Sequence, residues 1–329
     1  MPQVSSMPPQ VIPPFLIEPR FVTRVWGYRD LRPWYDKIAG DEPIGEVWLT
    51  GDDCRIATGP HTGRSLLEMF TAEPQAMLGS AAPRVESPLL IKMIFAREKL
   101  SVQVHPDDRL AQKYGQPRGK TECWYAITAE PGAQVAAGLK PGVTLDQVRA
   151  GIQNGTLEQS LDVLPIVQGD MVFVDAGTVH AIWPGSVLLE TQQNCDITYR
   201  MYDYGRPREL HIEKSIEATR LSTRAGKVPP RSLPDRTILI DVEYFCVERI
   251  PVAGRRPSET LRSSGEPARG LSYLFAANGS ARLSGEGFEA LTIPQRGIAA
   301  IPASSPAFTV GDLGNLDLIR ISPRWPASE

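Results

Sequence analysis

The stretch GDMVFVDAGTVHAI, Gly169 to Ile182, decides how this chain folds. Gly169 and Asp170 make a turn, Met171 to Val174 an apolar strand, Asp175-Ala176-Gly177 a second turn, and His180 opens the next strand. Glycine reaches positive φ at no steric cost and aspartate bonds back to its own backbone, so both residues bring the chain round sharply. Strand, turn and strand in so short a span leave room only for β pairing.

Outward from this stretch the same grammar recurs. From Phe15 onward short β-type runs are punctuated by Gly, Pro and Asp: EPRFVTRVWG, GEVWLTGDD, PLLIKMIFA, LSVQVH, ECWYAIT and AQVAAGL before it, SVLLETQQ and DITYRMYDY after it. The 30 prolines and 28 glycines are dispersed rather than clustered, which suits many turns between strands and points to sandwiches or barrels. Three helical pieces read as insertions. Residues 65–78 begin with Ser65 and Glu68 at capping-box spacing and are broken by Pro74; residues 107–115 end at Gly115; residues 144–161 place Leu145, Val148 and Ile152 on one face. ELHIEKSIEATR adds a further amphipathic helix, with Leu210, Ile212 and Ile216 on one side.

A chain of 329 residues buries a substantial core in one large or two moderate domains. The expected division is a flexible, Pro-rich leader at 1–14, a first, metal-binding β domain with the helical insertions at 15–221, a basic, Pro-rich linker at 222–236, and a second, metal-free β domain at 237–329. All four histidines, His61, His105, His180 and His211, precede the second domain, so a histidine-based site belongs to the first. A net charge of -3 gives no reason to expect nucleic acid or an anionic membrane as partner. The four cysteines are widely spaced with no CxxC, which argues against both a thiolate zinc site and a redox pair and fits free thiols in a reducing cytoplasm. Neither a signal peptide nor an apolar run long enough to span a bilayer is visible.

The candidate site starts at LSVQVHPDD, Leu100 to Asp108. Gln103 and His105 are two residues apart in a strand and so project from one face. Imidazole nitrogen and amide oxygen both suit zinc and related divalent ions. Glu122 opens the apolar strand of GKTECWY, where a carboxylate is costly to bury unless paired or bound to a cation. His61, in the GPHTG turn, and His211, at a helix start, read as surface or capping groups.

The opening stretch also resembles the second signature of the cupin barrels, with Asp175 in place of the usual proline. Taken with EPRFVTRVWGYRDL, IGEVWLTGD, PLLIKMIFAREKLSVQVHPDD, GKTECWY and LLETQQNCDITYRMYDYGRPRELHIEKSIE, the chain resembles the type I mannose-6-phosphate isomerases over about its first 220 residues, most closely the short bacterial branch. The resemblance implies a mainly β fold of two cupin-like jelly-roll barrels with a small helical insertion. It implies one Zn2+, or another divalent metal, held by Gln103, His105, Glu122 and His180, and interconversion of mannose 6-phosphate and fructose 6-phosphate through an enediolate. It matches Arg200 and Lys120 to catalytic positions and Lys92, Ser101 and Glu190 to substrate-binding positions. The proton-transferring base stays open among Glu190, Asp196 and a metal-bound water. Two alternatives keep the same ligands: a non-catalytic metal cupin that senses a sugar phosphate, and an isomerase of an unphosphorylated sugar. The expected partner is a small sugar phosphate, with no expectation for oligomeric state.

Overall fold

The computed structural model describes residues 10–79, 86–261 and 270–325. It is mainly β, with all strand pairs among the described residues antiparallel, and its contacts group into two compact units. One unit gathers residues 20–48 and 89–230; the other takes the stretch before residue 20, residues 49–88 and everything from Arg231 on.

The first of these carries every residue of the candidate site. Its larger sheet has seven strands in the order Gly226–Val228, Met171–Val174, Glu122–Ala129, Ser186–Gln193, Leu89–Phe95, Ile44–Trp48 and Arg20–Tyr28. Its smaller sheet has five: Tyr199–Tyr202, Val102–Val104, His180–Ile182, Gln134–Leu139 and Leu161–Pro165. Alternation along these strands turns Ile94, Trp124, Ala126, Val172 and Leu188 from one sheet and Val135, Ala137 and Ile182 from the other into a shared apolar core. The outer face of the smaller sheet is covered by helices: Val102, Val104, Ala181 and Met201 pack with Val148 and Ile152 of helix Leu145–Asn154 and with Ala218 of helix Ile212–Ala218. Helix Leu145–Asn154 is set by a capping box between Thr144 and Gln147 and stops at Gly155, whose φ of 69° is the left-handed cap.

The second unit has a seven-stranded sheet, from Phe15–Leu16 through Ile298–Ile301, Ser272–Asn278, Asp317–Pro323, Phe245–Ile250 and Thr237–Asp241 to Arg231–Ser232, and a four-stranded sheet of Arg255–Pro257, Phe308–Asp312, Ala281–Gly285 and Leu291–Ile293. The helices Leu66–Ala72 and Pro74–Leu78 belong to this unit, although they precede the metal-site strands in sequence. Their capping box at Ser65 and Glu68 and the break at Pro74 are as the sequence suggests, and the backbone N–H groups of Ala303 and Ser304 donate to Met77 and Ala76.

Two segments read from composition as loose are built into sheets. Of the leader, residues 1–9 lie outside the described residues, while Ile12 is fully buried and its N–H donates to Ser304 Oγ at 3.0 Å. Within the 222–236 segment, Gly226–Val228 pairs with Met171–Val174 and Arg231–Ser232 pairs with Thr237–Asp241. A polar, proline-rich sequence can still satisfy a sheet edge where its free N–H groups face the ladder.

Candidate metal centre and active site

Strand register brings the sequence-distant candidate ligands together. Gln103 lies directly opposite His180 on one side and opposite Arg200 on the other, so Arg200, Gln103 and His180 form one row across the smaller sheet. On the facing sheet Trp48, Lys92, Glu190 and Trp124 form a second row, and Glu122 projects two residues along from Trp124. The interior is therefore apolar at one end, around Trp124, Ala126 and Leu188, and ionic at the other.

At the ionic end one ligand atom from each of His105, Glu122 and His180 falls within 4.8 Å of the others. His105 Nε2 is 3.5 Å from Glu122 Oε2, and His180 Nε2 is 3.5 Å from Glu122 Oε1. The other ring nitrogens fix the tautomers: His105 Nδ1–H donates to Ile197 O at 2.7 Å and His180 Nδ1–H to Thr178 O at 2.9 Å, leaving both Nε2 atoms as acceptors that face inward. Burial holds both imidazoles neutral, lowering His180 to about 4 and His105 well below its ordinary value. The turn of the opening stretch sets this geometry. Gly177, at φ 92°, donates its N–H to His105 O, and Asp175 accepts Thr178 Oγ1–H at 2.9 Å. Asp175 thus ties down the turn that a proline would have stiffened.

The donor set fits a divalent cation. Glu122 is fully buried, its Oε1 has no hydrogen-bond partner among the described residues, and burial together with the nearby Glu190 pushes its carboxyl up. Such an oxygen is expensive to bury except against positive charge. Lys120 supplies some: its Nζ donates to Glu122 Oε2 at 2.6 Å and to His105 Nε2 at 3.0 Å. Gln103 Nε2–H donates to His180 Nε2 at 3.2 Å, and a half-turn of this amide would present its carbonyl oxygen instead. Two neutral imidazoles, one amide and one carboxylate form a mixed N/O set suited to zinc and its neighbours.

A cavity of about 330 Å³ opens over this centre. Lys92, Ser101, Lys120, Glu190 and Arg200, all singled out in the sequence, line it together with Gln103 and Asp196. Ser101 Oγ–H donates to Gln103 Oε1 at 3.4 Å. Lys92 is buried between Glu190 Oε1 at 3.0 Å and Glu46 Oε1 at 3.4 Å; burial alone would lower its pKa, but the two carboxylates more than offset that and keep it charged. Glu190 also accepts Trp124 Nε1–H at 2.9 Å. Arg200 is held at the rim, its Nη1–H donating to Glu209 O and its backbone N–H to His211 Nδ1. His211 is thus a support for Arg200, a role its position at a helix start did not reveal.

Sequence reasoning missed Arg24, Glu46 and Arg208, which also line the cavity. Glu46 carried a readable signal, a lone carboxylate in the strand IGEVW, the same signature that marked Glu122 and Glu190. Arg24 carried none: it reaches the site because its guanidinium bonds Glu46 Oε2 at 2.8 Å, a pairing between different strands.

The chain is similar to known proteins over most of its length. The family model for the phosphomannose isomerase type I catalytic domain matches residues 22–131. A mannose-6-phosphate isomerase from Streptococcus mutans is 34% identical over 254 residues, covering 73% of this chain and 79% of its own. Mannose-6-phosphate isomerase ManA of Bacillus subtilis is 34% identical over 265 residues, covering 73% and 80%. The crystal structure of a mannose 6-phosphate isomerase from Bacillus subtilis superposes with a TM-score of 0.82 at 29% identity, covering 94% of this chain and 99% of that one. A variant of the Salmonella typhimurium phosphomannose isomerase, 18% identical with a TM-score of 0.75 over 95% of this chain and all of its own, shares the fold.

Proposed function

The chain belongs to the type I mannose-6-phosphate isomerases, and from that premise we infer that it is a metal-dependent aldose–ketose isomerase interconverting mannose 6-phosphate and fructose 6-phosphate. The observation that carries the inference is the buried His105–Glu122–His180 cluster, with an unsatisfied Glu122 oxygen, beneath a cavity rich in cations.

In this reading Gln103, His105, Glu122 and His180 hold one zinc ion. A divalent cation there supplies electrophilic stabilisation for the negative charge that develops on the sugar oxygens. The chain's own groups do the rest. Isomerisation moves a proton between C-2 and C-1 through an enediolate, so it needs a base, donors toward the oxyanion and a grip on the phosphate. Lys120 and Lys92 bring ammonium groups to the cavity, and the planar, permanently charged guanidinium of Arg200 suits a phosphate or an oxyanion. Of the two carboxylates open to the base role, Glu190 is held by Trp124 and Lys92, whereas the Asp196 side chain is half-exposed at the mouth, with Arg24 at 3.8 Å. Asp196 is accordingly assigned as the proton carrier, and Glu190 as the counter-ion that keeps Lys92 in place.

A coupled assay on purified protein tests the reading. Stripped of metal, the protein is expected to lose turnover of mannose 6-phosphate and to regain it when zinc is returned. Full activity after complete metal removal refutes the metal-dependent mechanism.

A further inference from the structure

Asp203 is buried, and both of its carboxylate oxygens accept from Arg208, whose Nε–H and Nη2–H donate to Oδ2 and Oδ1, each at 2.7 Å, while Arg206 Nη2 lies 3.2 Å from the same Oδ1. This fork-on-fork pairing fixes the plane of the guanidinium as well as its position. The backbone makes it possible. Asp203 O accepts Arg206 N–H at 3.0 Å across Tyr204 at φ 55° and Gly205 at φ 80°, the positive pair of a type I′ turn, so the chain doubles back and Arg208 returns over Asp203. Arg206 reinforces the turn by donating to Asp203 O and Lys99 O. A buried carboxylate and a strained turn thus aim one arginine, and the Arg208 side chain, a quarter exposed, faces the cavity.

Arg208 meets a second cation there. Arg200 lines the same cavity, and its pKa is lowered first by burial and then by repulsion from Arg208. Deeper in, each cation has a carboxylate close by: Lys92 has Glu190 and Glu46, Lys120 has Glu122, and Arg24 has Glu46. At the rim the Arg200 and Arg208 side chains line one space, and the buried Asp203 carboxylate there is bonded to Arg208 and paired with Arg206 rather than with Arg200. Like charges brought together in a half-buried setting are stabilised by an anion between them.

We propose that Arg208, aimed by Asp203, is a specificity-determining residue that binds the phosphate of the substrate together with Arg200. The proposal rests on the reading of the cavity as a hexose-phosphate site and assigns its phosphate end to the Asp203–Arg208 turn. Arg208 contacts the dianion; Asp203 is a positioning residue acting through it.

The test uses metal-loaded full-length protein and two probes, mannose 6-phosphate in steady-state turnover and inorganic phosphate by calorimetry and as a competitive inhibitor. Losing a charged hydrogen-bonded contact predicts that Arg208→Met raises both KM and the phosphate dissociation constant about 10- to 100-fold, with kcat within about threefold and metal content unchanged. Arg208→Lys, which keeps the charge without the fork, falls between; if Arg208→Met does not fold, the lysine variant carries the test. Asp203→Asn is expected to raise KM and the phosphate constant in parallel, a change that a merely structural loss of folded protein does not produce. Unchanged phosphate binding in folded Arg208 variants of an active enzyme overturns the proposal and leaves the isomerase reading standing. Phosphate binding that depends on Arg208 in a protein without isomerase turnover does the reverse.

Discussion

Replacing Lys92 with methionine removes a buried ammonium while keeping most of its volume. Lys92 sits 3.0 Å from Glu190 and 3.4 Å from Glu46, with its side chain 4% exposed. At an effective dielectric near 20, each contact is worth roughly 5 kcal/mol before the cost of dehydrating the ammonium, and breaking a buried pair of this kind costs about 3–5 kcal/mol net. Arg24 still holds Glu46 at 2.8 Å and Lys120 still lies 3.8 Å from Glu190, which places the expected loss near the lower end, about 3 kcal/mol. For domains of this size that corresponds to a fall in Tm of roughly 6–12 °C. The loss depends on pH. Burial alone would raise Glu46, but Lys92, Arg24 and the Trp48 N–H pull it down to about 2, so its ionisation stabilises the fold above the ordinary carboxylate range and that contribution is lost as pH falls through about 2. Without Lys92 the Glu46 carboxyl protonates at higher pH, so the deficit is full at pH 7 and shrinks on acidification. Thermal melts of metal-loaded protein at pH 7 and pH 4 measure both effects, and adding Glu46→Gln to Lys92→Met should recover about 1 kcal/mol by removing the excess buried negative charge that Arg24 alone does not balance. A Tm within about 2 °C of the parent at pH 7, or a double variant less stable than Lys92→Met, refutes the argument.

Other consequences are open to direct measurement. Because the ligands converge only in the folded first unit, zinc at about a hundred times its dissociation constant should stabilise the metal-free protein by about 2.7 kcal/mol, and melting curves indifferent to zinc would contradict the assigned ligands. Arg200→Ala should abolish turnover while retaining stoichiometric metal; near-normal turnover would remove Arg200 from the mechanism. Thr144→Ala, which deletes the side-chain cap bonded to Gln147 N–H at 3.3 Å, should cost about 1 kcal/mol of stability and leave KM unchanged, because it loosens a helix on the outer face of the sheet rather than the cavity.

The site was legible wherever a local rule forced a polar residue onto an apolar strand. Gln103 and His105 share a face because side chains alternate, and Glu122 and Glu190 declare themselves as carboxylates in strands that otherwise bury everything. Neither rule predicts which strands lie side by side. That Gln103 pairs with His180, from a strand far along the chain, follows from antiparallel pairing over a long separation, which resemblance to a family supplied and periodicity did not. The same limit explains the domain reading: helices Leu66–Ala72 and Pro74–Leu78 were recognised as helices, cap included, yet they group with the C-terminal strands, because what they pack on is a non-local matter. Arg24 and Arg208 were invisible for a different reason. A surface arginine and a site arginine have the same sequence signature, and only the buried acid that holds each one, Glu46 or Asp203, separates them. A buried carboxylate is therefore the better thing to search for than the cation it positions. Applied to this chain, that rule leads from Glu122 to Lys120, from Glu190 to Lys92, from Glu46 to Arg24 and from Asp203 to Arg208, and each of these four cations lines the cavity.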